Sequence, residues 1–135
     1  MDFLLQLQTL SDWGMLILRI AIGSIFIAHG YGKFSSWKPL PPEHKPNAMH
    51  AIMKLLSLAE PLGGAAVMVG IFLQPAAIGL SLVMIGALYF KIIVWKKKFT
   101  ESGGWEFDLL ILSALIFLIL SGGGLLSFDH TLFGF

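Results

Sequence analysis

The 135-residue chain contains no cysteine. Structural disulfides, cysteine-held iron–sulfur clusters and dithiol–disulfide chemistry by the chain itself are therefore excluded. Charge is scarce as well: Asp, Glu, Lys and Arg make up 13% of residues, against about 25% in soluble domains. The formal net charge is +1, and no basic stretch alternates with aromatics on a polar background, so no nucleic-acid partner is expected. Four histidines, one of them in a proline-rich connection and one just after it, make no metal-ligand pattern, and no metal site is expected. Flavin, nicotinamide and haem motifs are also missing. The opening stretch MDFLLQLQTLSDWG has no positive charge ahead of its apolar run and no A-x-A-like site after it, so no cleaved signal peptide is expected.

What is abundant is apolar surface. Hydrophobic residues make up 56% of the chain, and the mean hydropathy is +0.82. A soluble fold of this length has too little interior to hide so much apolar area, so the excess is expected to face lipid. A bilayer core about 30 Å thick needs roughly 20 apolar residues per helix. Four segments meet that length, at about 11–34, 49–73, 75–95 and 105–122. The expected fold is all-α: one membrane domain over 1–135, folded as an antiparallel bundle of four transmembrane helices.

The connections support that division. The first, SSWKPLPPEHKPNA, carries Pro39, Pro41, Pro42 and Pro46 and cannot be helical. The second is almost absent, with Pro75 expected at the first position of the third helix. Glycines in SGGGLLSFD close the fourth helix. Lys33, Lys38, Lys45, Lys54, Lys91 and Lys96–Lys98 lie in or beside the first and third connections. The positive-inside rule then puts those connections in the cytoplasm and both termini outside.

The stretch LRIAIGSIFIAHGYGKF, residues 18–34, reads as a membrane helix yet carries Arg19, His29 and Lys33. At about 100° per residue these three share one face with Gly23, Phe26 and Gly30, leaving the isoleucines for lipid. A guanidinium at that depth costs roughly 2.5–3.5 kcal/mol on the most lenient scale and needs a partner. Glu60, near the middle of the second helix, is the only deeply placed carboxylate, so an Arg19–Glu60 ion pair is expected. Pro61 removes a helical hydrogen bond beside it, and Ser57, Gly63 and Gly64 flank its face, the makings of a pocket wall.

Towards the cytoplasmic side a second group is expected from Lys33, Lys91 and Glu106, with His29 slightly deeper. Asp108 lies about 200° from Glu106 on the fourth helix, so it is expected to face elsewhere and to complement the helix dipole. His29 is the side chain in the membrane suited to taking or releasing a proton near neutral pH. Haem ligation by His29 would need a second histidine, and only His50 is remotely placed.

These residues carry a family likeness. Leu18-Arg19, Gly23, Phe26, His29-Gly30 and Lys33 resemble the first-helix pattern of the DoxX family. Glu60 with Gly63, Gly64 and Gly70 resembles its E-x-x-G-G…G second helix, while GWEFDLLIL with Glu106, and the G-x-x-S-x-D element with Ser127 and Asp129, resemble its fourth helix and closing segment. The resemblance implies a four-helix protein of the bacterial or archaeal inner membrane, in a family associated with quinol oxidation, thiosulfate:quinone oxidoreduction and oxidative-stress complexes. The candidate ligand-binding or proton-handling residues are Arg19, His29, Lys33, Glu60, Lys91 and Glu106.

Three functions follow for test. The first is a redox-linked subunit that binds a quinone without a covalently bound cofactor and draws electrons from a redox partner protein or from substrate. The second is a non-enzymatic protein binding or transporting a small anion or lipid head group, with Arg19 and Lys33 as two stations and a homodimer as the working unit. The third is a structural accessory subunit whose charges hold the helices together.

Overall fold

The computed structural model describes residues 8–41, 43, 45 and 47–134. Pro42, His44 and Pro46 of the proline-rich connection lie outside the described residues. The described residues form five α-helices: α1 (Ser11–Lys33), α2 (Ala48–Val69), α3 (Leu73–Tyr89), α4 (Glu106–Ser121) and the short α5 (Phe128–Phe133). A 3₁₀ turn, Phe34–Trp37, prolongs α1, and a π-helical stretch, Phe90–Val94, prolongs α3. Among the described residues there is no strand.

Local chemistry sets the helix ends. Asn47 caps α2 by accepting a hydrogen bond from the His50 N–H at 2.8 Å. Gly70, at φ +77°, ends α2 in the left-handed region and donates its N–H to Ala66 O. That stop puts the end of α2 at Val69 rather than at Leu73. The three residues that follow turn the chain so sharply that α3 begins at Leu73, which makes Pro75 its third residue instead of its first.

Among the described residues three helical stretches are long and apolar enough to cross a membrane: Ser11–Trp37, Ala48–Val69 and Leu73–Val94. α4 is as apolar but has 16 residues, about 24 Å of helix, against a hydrocarbon core of about 30 Å. The expected fourth span is thus shorter than its 105–122 window, because the turn before Glu106 and Gly122 at φ +74° bound the helix. Large side chains such as Leu62, Leu82 and Leu120 point outward, 71%, 65% and 81% exposed, an unfavourable surface in water and an ordinary one in lipid.

Packing joins the helices in two pairs, α1 with α2 and α3 with α4, with α2 also lying against α3. The α1–α2 pair is close because glycines of both helices meet at the crossing. A Cβ on Gly23 would stand 2.5 Å from Gly64 O, and one on Gly64 would stand 2.7 Å from Gly23 O. Gly30 lies against the Pro61 ring in the same way. Small residues at a membrane helix crossing let backbones touch, and dispersion contacts replace the missing hydrophobic drive. Ile22, Phe26, Val67, Leu80, Met84, Ile111, Leu115 and Leu118 fill the space between the pairs.

Candidate functional site

The buried charges fall into two groups at opposite ends of α1. Arg19 is 1% exposed, and its guanidinium donates one hydrogen bond to Gly123 O and one to Leu126 O, both 2.8 Å. It therefore does not pair with Glu60 as the sequence suggested. The two carbonyls belong to the glycine-rich turn after α4, which lies outside the helical hydrogen-bond ladder, and the guanidinium fork satisfies them.

The rest of this end is a clasp. Asp129 accepts from the Phe72 and Leu73 N–H groups at 2.8 Å each, capping the start of α3, and donates its own N–H to Gly70 O. Phe72 holds φ +47°, an unusual backbone for a residue with a side chain, and the Asp129 carboxylate secures it there. Asp12 accepts from the Leu125 N–H at 2.8 Å, tying the start of α1 to the same turn. Ser127 caps α5 by accepting from His130 N–H. Asp12 and Asp129 do work the sequence reading did not assign, because their partners are backbone groups more than fifty residues away.

At the other end two lysine–carboxylate pairs converge. Lys33 Nζ lies 2.5 Å from Glu60 Oε2, with the lysine side chain 24% exposed and the glutamate 4%. This short contact is the reason Glu60 is unavailable to Arg19: Lys33 lies about 21 Å further along α1, beside Glu60 once α1 and α2 run antiparallel. Lys91 pairs with Asp108 and also donates to Gly104 O at 3.2 Å. Asp108 is buried and Glu106 is exposed, the reverse of the expectation from the sequence. Asp108 begins the inward stripe Asp108, Ile111, Leu115 and Leu118, and that stripe decides which acid of the first turn faces the core. Lys91 itself sits in the π-helical stretch, whose wider turn shifts its side chain relative to a regular helix.

His29 is largely exposed, with its ring edge-on to Phe107 at 6.3 Å between centroids. It borders a cavity of about 280 Å³ together with Lys33, Glu60, Lys91 and Asp108. A second cavity, about 540 Å³, opens between α2 and α3, with Lys33, Glu60 and Lys91 at its polar border and Met53, Leu56 and Phe90 among its apolar lining. Trp37 turns its indole N–H to Ser57 Oγ at 2.8 Å, and the Lys54 ammonium stands 5.4 Å from its ring. Of the candidate residues, the structure brings His29, Lys33, Glu60 and Lys91 together, adds Asp108, and separates Arg19 and Glu106 from them.

A neutralised set of lysines and carboxylates bordering an apolar cavity can donate hydrogen bonds and protons to a ligand that is itself mostly carbon. The described residues contain no cluster of three or more His, Cys, Asp or Glu side chains suited to a metal ion. Fold and site together define an all-helical protein built for the membrane, with a polar centre set among apolar helices. The chain belongs to the DoxX family, whose family model matches residues 14–94, from α1 through the π-helical stretch. It is 31% identical over 121 residues, 89% of this chain and 87% of the relative, to a Bacillus subtilis (strain 168) protein named "Putative oxidoreductase CatD". It is also 28% identical over 131 residues, 95% of this chain and 97% of the relative, to an uncharacterized protein of Haemophilus influenzae. No solved structure matches.

Proposed function

We propose that this chain is a quinone-binding subunit of a redox system in the bacterial or archaeal cytoplasmic membrane. The observation that carries this reading is the cavity between α2 and α3, an apolar slot of about 540 Å³ that ends on Lys33, Glu60 and Lys91. Its size falls in the range of small-molecule sites, roughly 300–1,000 Å³. A quinone needs an apolar slot for ring and tail, and donors for two carbonyl oxygens. The ammonium groups of Lys33 and Lys91 are such donors. Electrons come from a redox partner protein or from its substrate, since the sequence carries no redox-cofactor motif; the oxidoreductase name of the Bacillus relative agrees with that role.

In this reading α4 crosses the membrane beside α3, making four crossings with the lysine-rich connections inside and both termini outside. Support comes from contacts at both ends of that pair: Gln74 Nε2 donates to Ile119 O at 3.0 Å, and Lys91 pairs with Asp108. The anion-path alternative is less well supported. The Arg19 fork is taken up by two backbone carbonyls, and the charge of Lys33 is balanced by Glu60, which leaves N–H donors for a neutral ligand but no net positive charge for an anion.

The test is a titration of the purified protein in detergent with ubiquinone-1, read by quenching of tryptophan fluorescence, with extraction of any co-purifying quinone. Trp95 lines the cavity, and a Trp95→Phe variant identifies its share of the signal. Saturable quenching is expected in the native chain. In Lys91→Met it should weaken about tenfold or more, since a hydrogen bond from a charged donor contributes about 1.5–3 kcal/mol. Absence of saturable quenching and of extracted quinone refutes the reading.

A further inference from the structure

We infer that the two cavities at the lysine–carboxylate pairs are separate entrances to one site, the α2–α3 cavity admitting the quinone from lipid and the His29 cavity admitting protons from water. The inference rests on the quinone reading above and adds direction to it. Both cavities are lined by Lys33, Glu60, Val83, Ala87 and Lys91, so these side chains form the wall between them. Away from that wall the linings differ in kind. The α2–α3 side continues with Ile52, Met53, Leu56, Phe90 and Trp95, which offer carbon, sulfur and an aromatic face. The other side continues with Phe26 and Met84 and, unlike the first, with His29 and Asp108, which carry exchangeable protons or accept them.

Gly86 widens the apolar side. It lines that cavity, and a Cβ built on it meets nothing within 4 Å, so its missing side chain leaves room for a ring. On the other side the charged groups lining the cavity with His29 come from four segments: Lys33 on α1, Glu60 on α2, Lys91 in the π-helical stretch beyond α3 and Asp108 on α4. Converting a quinone to its quinol takes two electrons from the reduced partner and two protons, and forms two O–H bonds. Each ammonium gives up one N–H proton in that step. One proton from the aqueous phase, passed by the His29 imidazole, then returns to each lysine amine.

The absence of native cysteine makes single-cysteine variants clean reporters. His29→Cys samples the proton side, and Gly86→Cys and Leu56→Cys sample the quinone side at two independent positions. Each full-length variant is reconstituted in phospholipid vesicles and labelled with membrane-permeant N-ethylmaleimide or with a charged methanethiosulfonate. The charged reagent is expected to label His29→Cys and to leave the other two unlabelled, while N-ethylmaleimide labels all three. Ubiquinone-1 at about ten times its Kd should slow labelling of Gly86→Cys and Leu56→Cys about tenfold and leave His29→Cys unchanged. Equal protection of His29→Cys, or charged-reagent labelling of Gly86→Cys as fast as His29→Cys, overturns the inference. Loss of protection everywhere with saturable quenching retained overturns the route alone. Loss of both overturns the quinone reading with it.

Discussion

Charge reversal separates the two ends of α1 quantitatively. In the Lys33→Glu variant, Glu60 is left buried without its ammonium and beside a like charge. Removing one partner of a fully buried pair costs about 3–5 kcal/mol. The Lys33 side chain is 24% exposed, so water or lipid head groups relieve part of that, and about 2 kcal/mol is the expected loss. Restoring opposite charge in the double variant Lys33→Glu, Glu60→Lys should recover about 1 kcal/mol. Arg19→Glu is harsher, because it deletes two charge-assisted hydrogen bonds, each about 1.5–3 kcal/mol, and sets a carboxylate against two carbonyl oxygens. Adding Glu60→Arg places the new guanidinium beside residue 33, which lies about 21 Å along α1 from residue 19, too far to help. Sites so separated couple by less than about 0.5 kcal/mol. The assay is equilibrium unfolding in mixed detergent micelles for the four single variants and two doubles. Recovery of more than about 1 kcal/mol in Arg19→Glu, Glu60→Arg, with none in the Lys33–Glu60 swap, would refute the assignment of partners.

Three further outcomes follow from the geometry. Gly23→Ala should lower the unfolding midpoint by several degrees, since its Cβ meets Gly64 O at 2.5 Å and Met68 Cβ at 2.7 Å. Gly79→Ala, with open space at the same atom, should be neutral or raise it by up to about 1 kcal/mol of helix propensity. Asp129→Ala should cost about 1–2 kcal/mol and speed hydrogen exchange at the Phe72 and Leu73 amides, because that carboxylate caps α3; unchanged exchange there would refute the cap. Asp108→Asn should destabilise the protein by at least about 1 kcal/mol more than Glu106→Gln, the former being buried against Lys91 and the latter exposed; equal losses in the same unfolding assay would remove Asp108 from the core.

Part of the face of α1 was legible: Arg19, Gly23, Phe26 and Gly30 are buried as their shared side demands, whereas His29, placed on the same side, is exposed. α4 offered no such contrast. It is apolar nearly all round, so the sequence could not tell whether Glu106 or Asp108 turns inward, and the stripe through Ile111, Leu115 and Leu118 decides for Asp108. Proximity in composition also misled at Arg19. Glu60 was the sole deep acid in the sequence, yet the guanidinium is satisfied by backbone carbonyls, which no residue-type pattern reveals.

Composition and hydropathy alone therefore pointed to a helical chain with four stretches apolar enough for a lipid core, of which three are long enough as helices among the described residues, and to basic side chains on α1 that need shelter. Those properties depend on transfer free energy and helical period, which are local. Tertiary structure decided the partners: Lys33 with Glu60, Lys91 with Asp108, and Arg19 with the turn after α4. Ion pairs and hydrogen bonds depend on which ends of which helices lie side by side, and the glycine crossing of α1 on α2 and the caps of α3 and α5 set that register.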